Sequence, residues 1–315
     1  MAWSLRSALL WLVAGALMFW LGAFVERLGA PPLRLAPQRL PSALPEPCFR
    51  GAASGGGAVE EGPPLPAVQW RRGGGAPPYT APALYYKGFF ARLMRWGFFP
   101  HVILDIGANE GAWAQEVYTE ILSQNLGPPT ILCVEASPRR EEALARLGFD
   151  FVLSVVGPRE GWVPFYDNAG WAHTGNSVLK ERTEYFAGTQ ATRAPMRTLD
   201  GLVQALQQRG PAMPPPSLLK LDVQGYELAA LRGANRTLAS VEIIILETSL
   251  LQYNEGSPLA AEVVATLDCL GYQPLEVLET HSVGPENVML QADFAFVKKG
   301  SPLVGKATAG AGITL

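Results

Sequence analysis

Apolar residues along this chain fall into stretches of different kinds. Ala8 to Val25 is an unbroken uncharged run of 18 residues, bounded by Arg6 and by Glu26-Arg27. Beyond residue 100 the runs are short, and most end in a carboxylate or a turn: Val102 to Asp105, Thr130 to Glu135, Phe151 to Val156, Leu218 to Val223 and Ile243 to Glu247. Such runs predict buried strands. Helical spacing appears between them, in Phe89 to Met94, from Trp113, from Arg139 to Leu147 after Ser137-Pro138, and after Thr198-Leu199-Asp200. Strands alternating with helices predict an α/β fold, a doubly wound and mainly parallel sheet with both faces covered. Leu275 to Glu279 and Asp293 to Lys298 read as two late strands, whereas Gly157 to Thr192 reads as a long aromatic and glycine-rich loop.

The first run divides the chain further. Eighteen uncharged residues just span a bilayer core and exceed the apolar region of a cleaved signal, so residues 1–30 predict an N-terminal transmembrane helix, with residues 8–25 in the membrane. Pro31 to Thr80 holds 11 Pro and 8 Gly with no apolar period, and residues 31–81 read as a linker. Residues 82–300 form the folded domain and 301–315 a flexible tail. An anchor followed by a stem suggests a single-pass membrane protein of the Golgi or another endomembrane. Arg27, Arg34 and Arg39 after the span, against Arg6 before it, favour a domain on the cytosolic side.

A net charge of -3 leaves no electrostatic footprint for nucleic acid. Three cysteines, Cys48, Cys133 and Cys269, are an odd number without C-x-x-C spacing. They suggest no disulfide framework or metal cluster, and Cys133 and Cys269 read as buried thiols.

In an open parallel sheet ligands bind beyond the carboxyl ends of the strands, and Asp105, Glu135, Asp222 and Glu247 stand at those ends. Gly107 and Gly111 permit a tight turn with close backbone approach. Glu135, ending the next strand, suits a ribose diol. The dinucleotide fingerprint fails, because its second glycine would fall on Asn109.

Four segments together resemble the FkbM family of S-adenosylmethionine-dependent methyltransferases over roughly residues 100–298. They are Leu104-Asp105-Ile106-Gly107-Ala108-Asn109-Glu110-Gly111, Val134-Glu135-Ala136-Ser137-Pro138, Met196-Arg197-Thr198-Leu199-Asp200 and Leu219-Lys220-Leu221-Asp222-Val223-Gln224-Gly225-Tyr226-Glu227. The last carries Gln224 where the family more often has Glu. The resemblance implies a Rossmann-like class I methyltransferase that binds S-adenosylmethionine through Asp105, Gly107, Ala108, Asn109, Gly111 and Glu135. It also implies methyl transfer to a hydroxyl of a small molecule, glycan or lipid-linked sugar.

Asp222 is then the first candidate for the base that takes the hydroxyl proton, with Glu227 beside it. Glu247 and the loop residues His173, Asn176 and Ser177 are weaker candidates for touching the acceptor. No metal site is assigned, although a cation shared by Asp222, Glu227 and Glu247 is a lesser alternative. Two other functions stay open: a membrane-anchored scaffold without catalysis, suggested by Gln224, and a methyltransferase acting on protein nitrogen.

Overall fold

The computed structural model describes residues 45–49, 59, 60, 62–74, 86, 88–123, 127–168, 175–208 and 213–312. The run 8–25 lies outside the described residues, as does His173. Among the described residues no helix is long and apolar enough to cross a membrane.

Eight strands form the main sheet. They are β1 (Arg71–Arg72), β2 (Val102–Ile106), β3 (Thr130–Glu135), β4 (Asp150–Leu153), β8 (Leu218–Leu221), β9 (Ile243–Ser249), β10 (Tyr272–Val283) and β11 (Val288–Lys298), in the spatial order β1-β4-β3-β2-β8-β9-β11-β10. The five strands from β4 to β9 are parallel, while β1, β11 and β10 pair antiparallel to their neighbours. The sheet is thus mixed rather than mainly parallel, with a long hairpin closing one side. Its order reverses at β2, so the gap beyond the carboxyl ends of β2 and β8 is the switch point where such sheets bind ligands.

Alternation within the strands builds two cores. Val102, Leu104 and Ile106 of β2, with Leu219 and Leu221 of β8 and Ile244 and Leu246 of β9, face α4 (Leu199–Gln207), α5 (Glu227–Arg232), α6 (Asn235–Ser240) and α7 (Ala260–Cys269). Ile103, Leu218, Ile243 and Ile245 face α1 (Phe89–Arg95), α2 (Ala112–Ser123), α3 (Glu141–Arg146) and α8 (Pro302–Gly310). Where this second face reaches the carboxyl ends of the strands, its residues change from aliphatic to Asp105, Lys220 and Glu247. A single face therefore carries core at its base and charge at its rim.

Four expectations are corrected. The stretch 157–192 is not a loop throughout: β5 (Val155–Val156), β6 (Gly161–Tyr166) and β7 (Ala191–Arg197) form a second sheet in the order β5-β7-β6. Residues 31–81 are not linker throughout. Phe49 and Trp70 are buried in the first core, the Trp70 indole donates to the Leu202 carbonyl at 3.1 Å, and Cys48 forms a disulfide with Cys269 across 221 residues. Cys269 is thus no free thiol, and Cys133 is the buried free cysteine. Finally, residues 302–310 of the expected flexible tail are helical, with Leu303 buried and Ser301 capping the first turn.

Candidate functional site

A cleft of about 640 Å³ opens over the switch point, within the size range of small-molecule sites. One end is made by the turn after β2 and the end of β3. Gly107 and Ala108 donate their amides to the Val134 carbonyl at 2.8 and 3.0 Å, which folds the turn back over β3. Gly107 has φ +82°, and a Cβ there would lie 1.8 Å from the Asp222 carbonyl oxygen. Its lack of a side chain lets the β2 and β8 loops touch. Gly111 has φ +80° and packs against Leu147 instead of lining the cleft.

Glu135 faces this end, with Oε2 accepting from the Asn109 amide at 2.8 Å and Oε1 from the Ser137 amide at 2.7 Å. Burial pushes its carboxyl up, and those amides with Arg140 oppose the shift. Asp105 lies beneath the turn, fully buried, and does not line the cleft. Neither of its oxygens has a hydrogen-bond partner; its partner is the Lys220 ammonium, 3.7 Å away. Burial pushes its carboxyl up to about 6, against the pull of Lys220.

The other end is built on the β8 loop. Lys220 and Asp222 are two residues apart along an extended segment and so share a face. Nζ of Lys220 sits 3.0 Å from Asp222 Oδ2 and 5.4 Å from the Trp113 ring centroid. Burial alone would raise the Asp222 carboxyl, but Lys220 and the Gln224 amide outweigh it and hold the group below the ordinary aspartate range. Gln224, at φ +54°, donates Nε2 to Asp222 Oδ1 and to Glu247, while its Oε1 accepts from the Tyr253 hydroxyl at 3.1 Å. A glutamate in its place would offer no donor to either acid. Glu247 also accepts from the Gln291 amide, and burial together with Asp222 and Asp293 pushes its carboxyl well up.

Other expected residues serve the frame. Glu227 is turned away from the cleft, and its Oε1 accepts the amides of Val223 and Gly225, each at 3.1 Å. It ties down the loop that carries Asp222, and burial pushes it up to about 7. Ser177 Oγ donates to the Gln224 carbonyl at 2.9 Å and accepts from the Leu179 amide, pinning the same loop. Asn176 bridges the Asn168 amide and the Asp167 carboxylate, although both loop residues border the cleft. Asp200, from the third motif, accepts the Thr237 amide and hydroxyl at 2.8 Å and so fastens α4 to α6. That motif is architecture.

Four contributors escaped the sequence reading as site residues: Lys220, Tyr253, His281 and Asp293. Only Lys220 had a local signal, its two-residue spacing from Asp222.

The family model of the methyltransferase FkbM domain matches residues 105–274, more than half of the chain. No curated protein matches it. Among solved structures it is similar to the plantazolicin methyltransferase BamL in complex with a triazolic desmethylPZN analogue and SAH, at 8% identity over 68% of this chain and 82% of that one, with a TM-score of 0.38. It is also similar to an S-adenosylmethionine-dependent methyltransferase from Clostridium acetobutylicum, at 8% identity over 70% and 93% of the chains and a TM-score of 0.36.

Proposed function

The chain belongs to the FkbM methyltransferase family, and from that premise we propose that it is an S-adenosylmethionine-dependent O-methyltransferase. Its acceptor is a hydroxyl on a small molecule, glycan or lipid-linked sugar. The observation that carries this reading is the division of one cleft into a glycine turn with Glu135 at one end and Asp222 beside Glu247 at the other.

The residues present fit the cofactor. Each Glu135 oxygen already takes one amide and keeps further lone-pair capacity for a ribose diol. Asn109 Oδ1, on a cleft-lining residue, is buried with no hydrogen-bond partner and suits an ammonium group. Ser154, Val155 and Phe165 supply the wall beyond β3 for an adenine ring. When bound, S-adenosylmethionine supplies a methyl group carried on a cationic sulfonium.

Asp222, kept ionised by Lys220 and held by Gln224, is placed to accept the proton of an acceptor hydroxyl. Glu247, joined to Asp222 through the Gln224 amide, borders the same end of the cleft and would hold that acceptor. Gln224 supports catalysis over the scaffold alternative, since its amide joins the two acids instead of removing a function.

Calorimetric titration of S-adenosylmethionine into the full chain tests the reading. Wild type is expected to bind. Glu135→Ala should weaken binding about 10- to 100-fold, the worth of charge-assisted hydrogen bonds to a buried diol. No binding by folded wild type overturns the proposal.

We further propose that residues 8–25 anchor the chain in an endomembrane with the domain on the oxidising side. The Cys48–Cys269 disulfide supports that side, because such bonds persist in oxidising compartments, and we weigh it above the charge asymmetry across the span. Protease added to sealed vesicles should spare the domain until detergent is present; digestion without detergent would reverse the orientation.

A further inference from the structure

The hairpin of β10 and β11 brings a row of acids to the acceptor end of the cleft. Asp293 on β11 is the direct cross-strand partner of Glu247 on β9 on one side and of Glu279 on β10 on the other. Like charges directly opposite one another destabilise a sheet, so this rung costs folding free energy unless something positive meets it. Two residues beyond Glu279, and so on the same strand face, stands His281. One donor atom each from Glu247, His281 and Asp293 lies within 4.8 Å of the other two, and all three residues line the cleft.

We infer that Glu247, His281 and Asp293 form a binding site for a divalent transition-metal cation of the manganese class, at the acceptor end of the cleft. Two carboxylates and one imidazole suit such an ion better than magnesium, whose sites are oxygen-rich. Ligand atoms about 2.1 Å from an octahedral ion lie about 3 Å apart when adjacent and about 4 Å apart when opposite, so a small inward movement closes the set. The surrounding contacts are those that orient metal ligands. Glu247 accepts from the amides of Gln224 and Gln291, and Asp293 Oδ2 accepts from the Tyr86 hydroxyl at 2.8 Å. Three protein ligands leave positions open toward the cleft. Resting on the methyltransferase reading, the inference adds that the acceptor carries adjacent hydroxyls able to occupy those positions next to Asp222. A hydroxyl bound there is acidified, which makes a carboxylate such as Asp222 an adequate proton acceptor.

Manganese(II) added to the metal-stripped full chain in detergent, followed by calorimetry and pulsed electron paramagnetic resonance, tests the site. Expected are one ion per chain and a modulation from imidazole nitrogen. His281→Gln should abolish the modulation and weaken binding at least about 10-fold, and Asp293→Asn should weaken it similarly. S-adenosylmethionine titrated into the same samples reports that the variants are folded and tests the parent reading separately. Cofactor binding without manganese binding, or manganese binding unchanged in both variants, overturns the metal site alone. Manganese binding that follows this pattern without cofactor binding leaves the ion site standing and overturns the methyltransferase reading.

Discussion

Gly107→Ala is expected to cost at least about 4 kcal/mol of stability and to remove measurable S-adenosylmethionine binding. Two independent effects act at this position. A backbone at φ +82° places any Cβ in the sparsely populated left-handed region, worth about 1–2 kcal/mol for alanine. The added carbon would also lie 1.8 Å from the Asp222 carbonyl oxygen, and that neighbour is backbone, not the yielding end of a side chain. Relief requires the β2 turn and the β8 loop to move apart. The first motion would draw Asn109 off Glu135, and the second would shift Asp222 off Lys220, so both ends of the cleft would lose their geometry together. Chemical denaturation and calorimetric titration check this, with Gly111→Ala as a comparison. That glycine shares the positive φ, but its Cβ would meet the Leu147 side chain, outside the cleft lining. A Gly107→Ala protein that kept wild-type cofactor affinity would show that contact between the loops is not what shapes the site.

The same contact shows how far the sequence could be read. The parallel strands were legible because each is buried on both faces: Val102 to Ile106 and Leu218 to Leu221 are apolar or charge-paired at every position. The strand-end carboxylates Asp105, Glu135, Asp222 and Glu247 followed from those runs. The second sheet was not legible, since Pro164 and Pro195 interrupt its strands and argue locally for a loop. The apolar runs Leu275–Glu279 and Asp293–Lys298 mark only the inner half of the hairpin, because its outer half is exposed, with Val283, Val288 and Met289 facing solvent. His281 lies beyond the first of those runs, so its meeting with Glu247 and Asp293 depends on a strand register that composition does not encode.

Roles were harder to read than places. Asp222 and Glu227 are five positions apart in one motif, both acidic and both at a strand-to-helix turn. They differ in what each carboxylate reaches: Asp222 borders the cleft, and Glu227 folds inward onto the amides of Val223 and Gly225. No one-dimensional pattern separates a carboxylate that serves chemistry from one that holds the loop. The disulfide is a similar case, because Cys48 sits in a proline-rich segment and its partner is 221 residues away, where spacing carries no information.

Lys220→Met is expected to cost about 3–5 kcal/mol at pH 8, and the deficit should shrink as pH falls. Methionine keeps an unbranched stem, so the loss isolates the ammonium group, which also sits 5.4 Å from the Trp113 ring centroid. Without it, buried Asp105 and half-buried Asp222 lose their shared cation, 3.7 and 3.0 Å away. The signs for the two acids differ. Asp222 is held low in the folded wild type, so it contributes stability above the ordinary aspartate range and loses it as pH falls; the variant lacks that contribution from the start. Asp105 is already raised to about 6 by burial, so it favours folding at low pH and loses that advantage as pH rises through about 6. Removing Lys220 raises it further and deepens the loss on the alkaline side. Both effects make the difference between wild type and variant grow between about pH 4 and pH 8. Urea unfolding of both proteins at pH 5 and pH 8 measures it. An equal deficit at the two values would mean that Lys220 acts through its cation–π contact with Trp113, and that Asp222 owes its ionised state to the Gln224 amide instead.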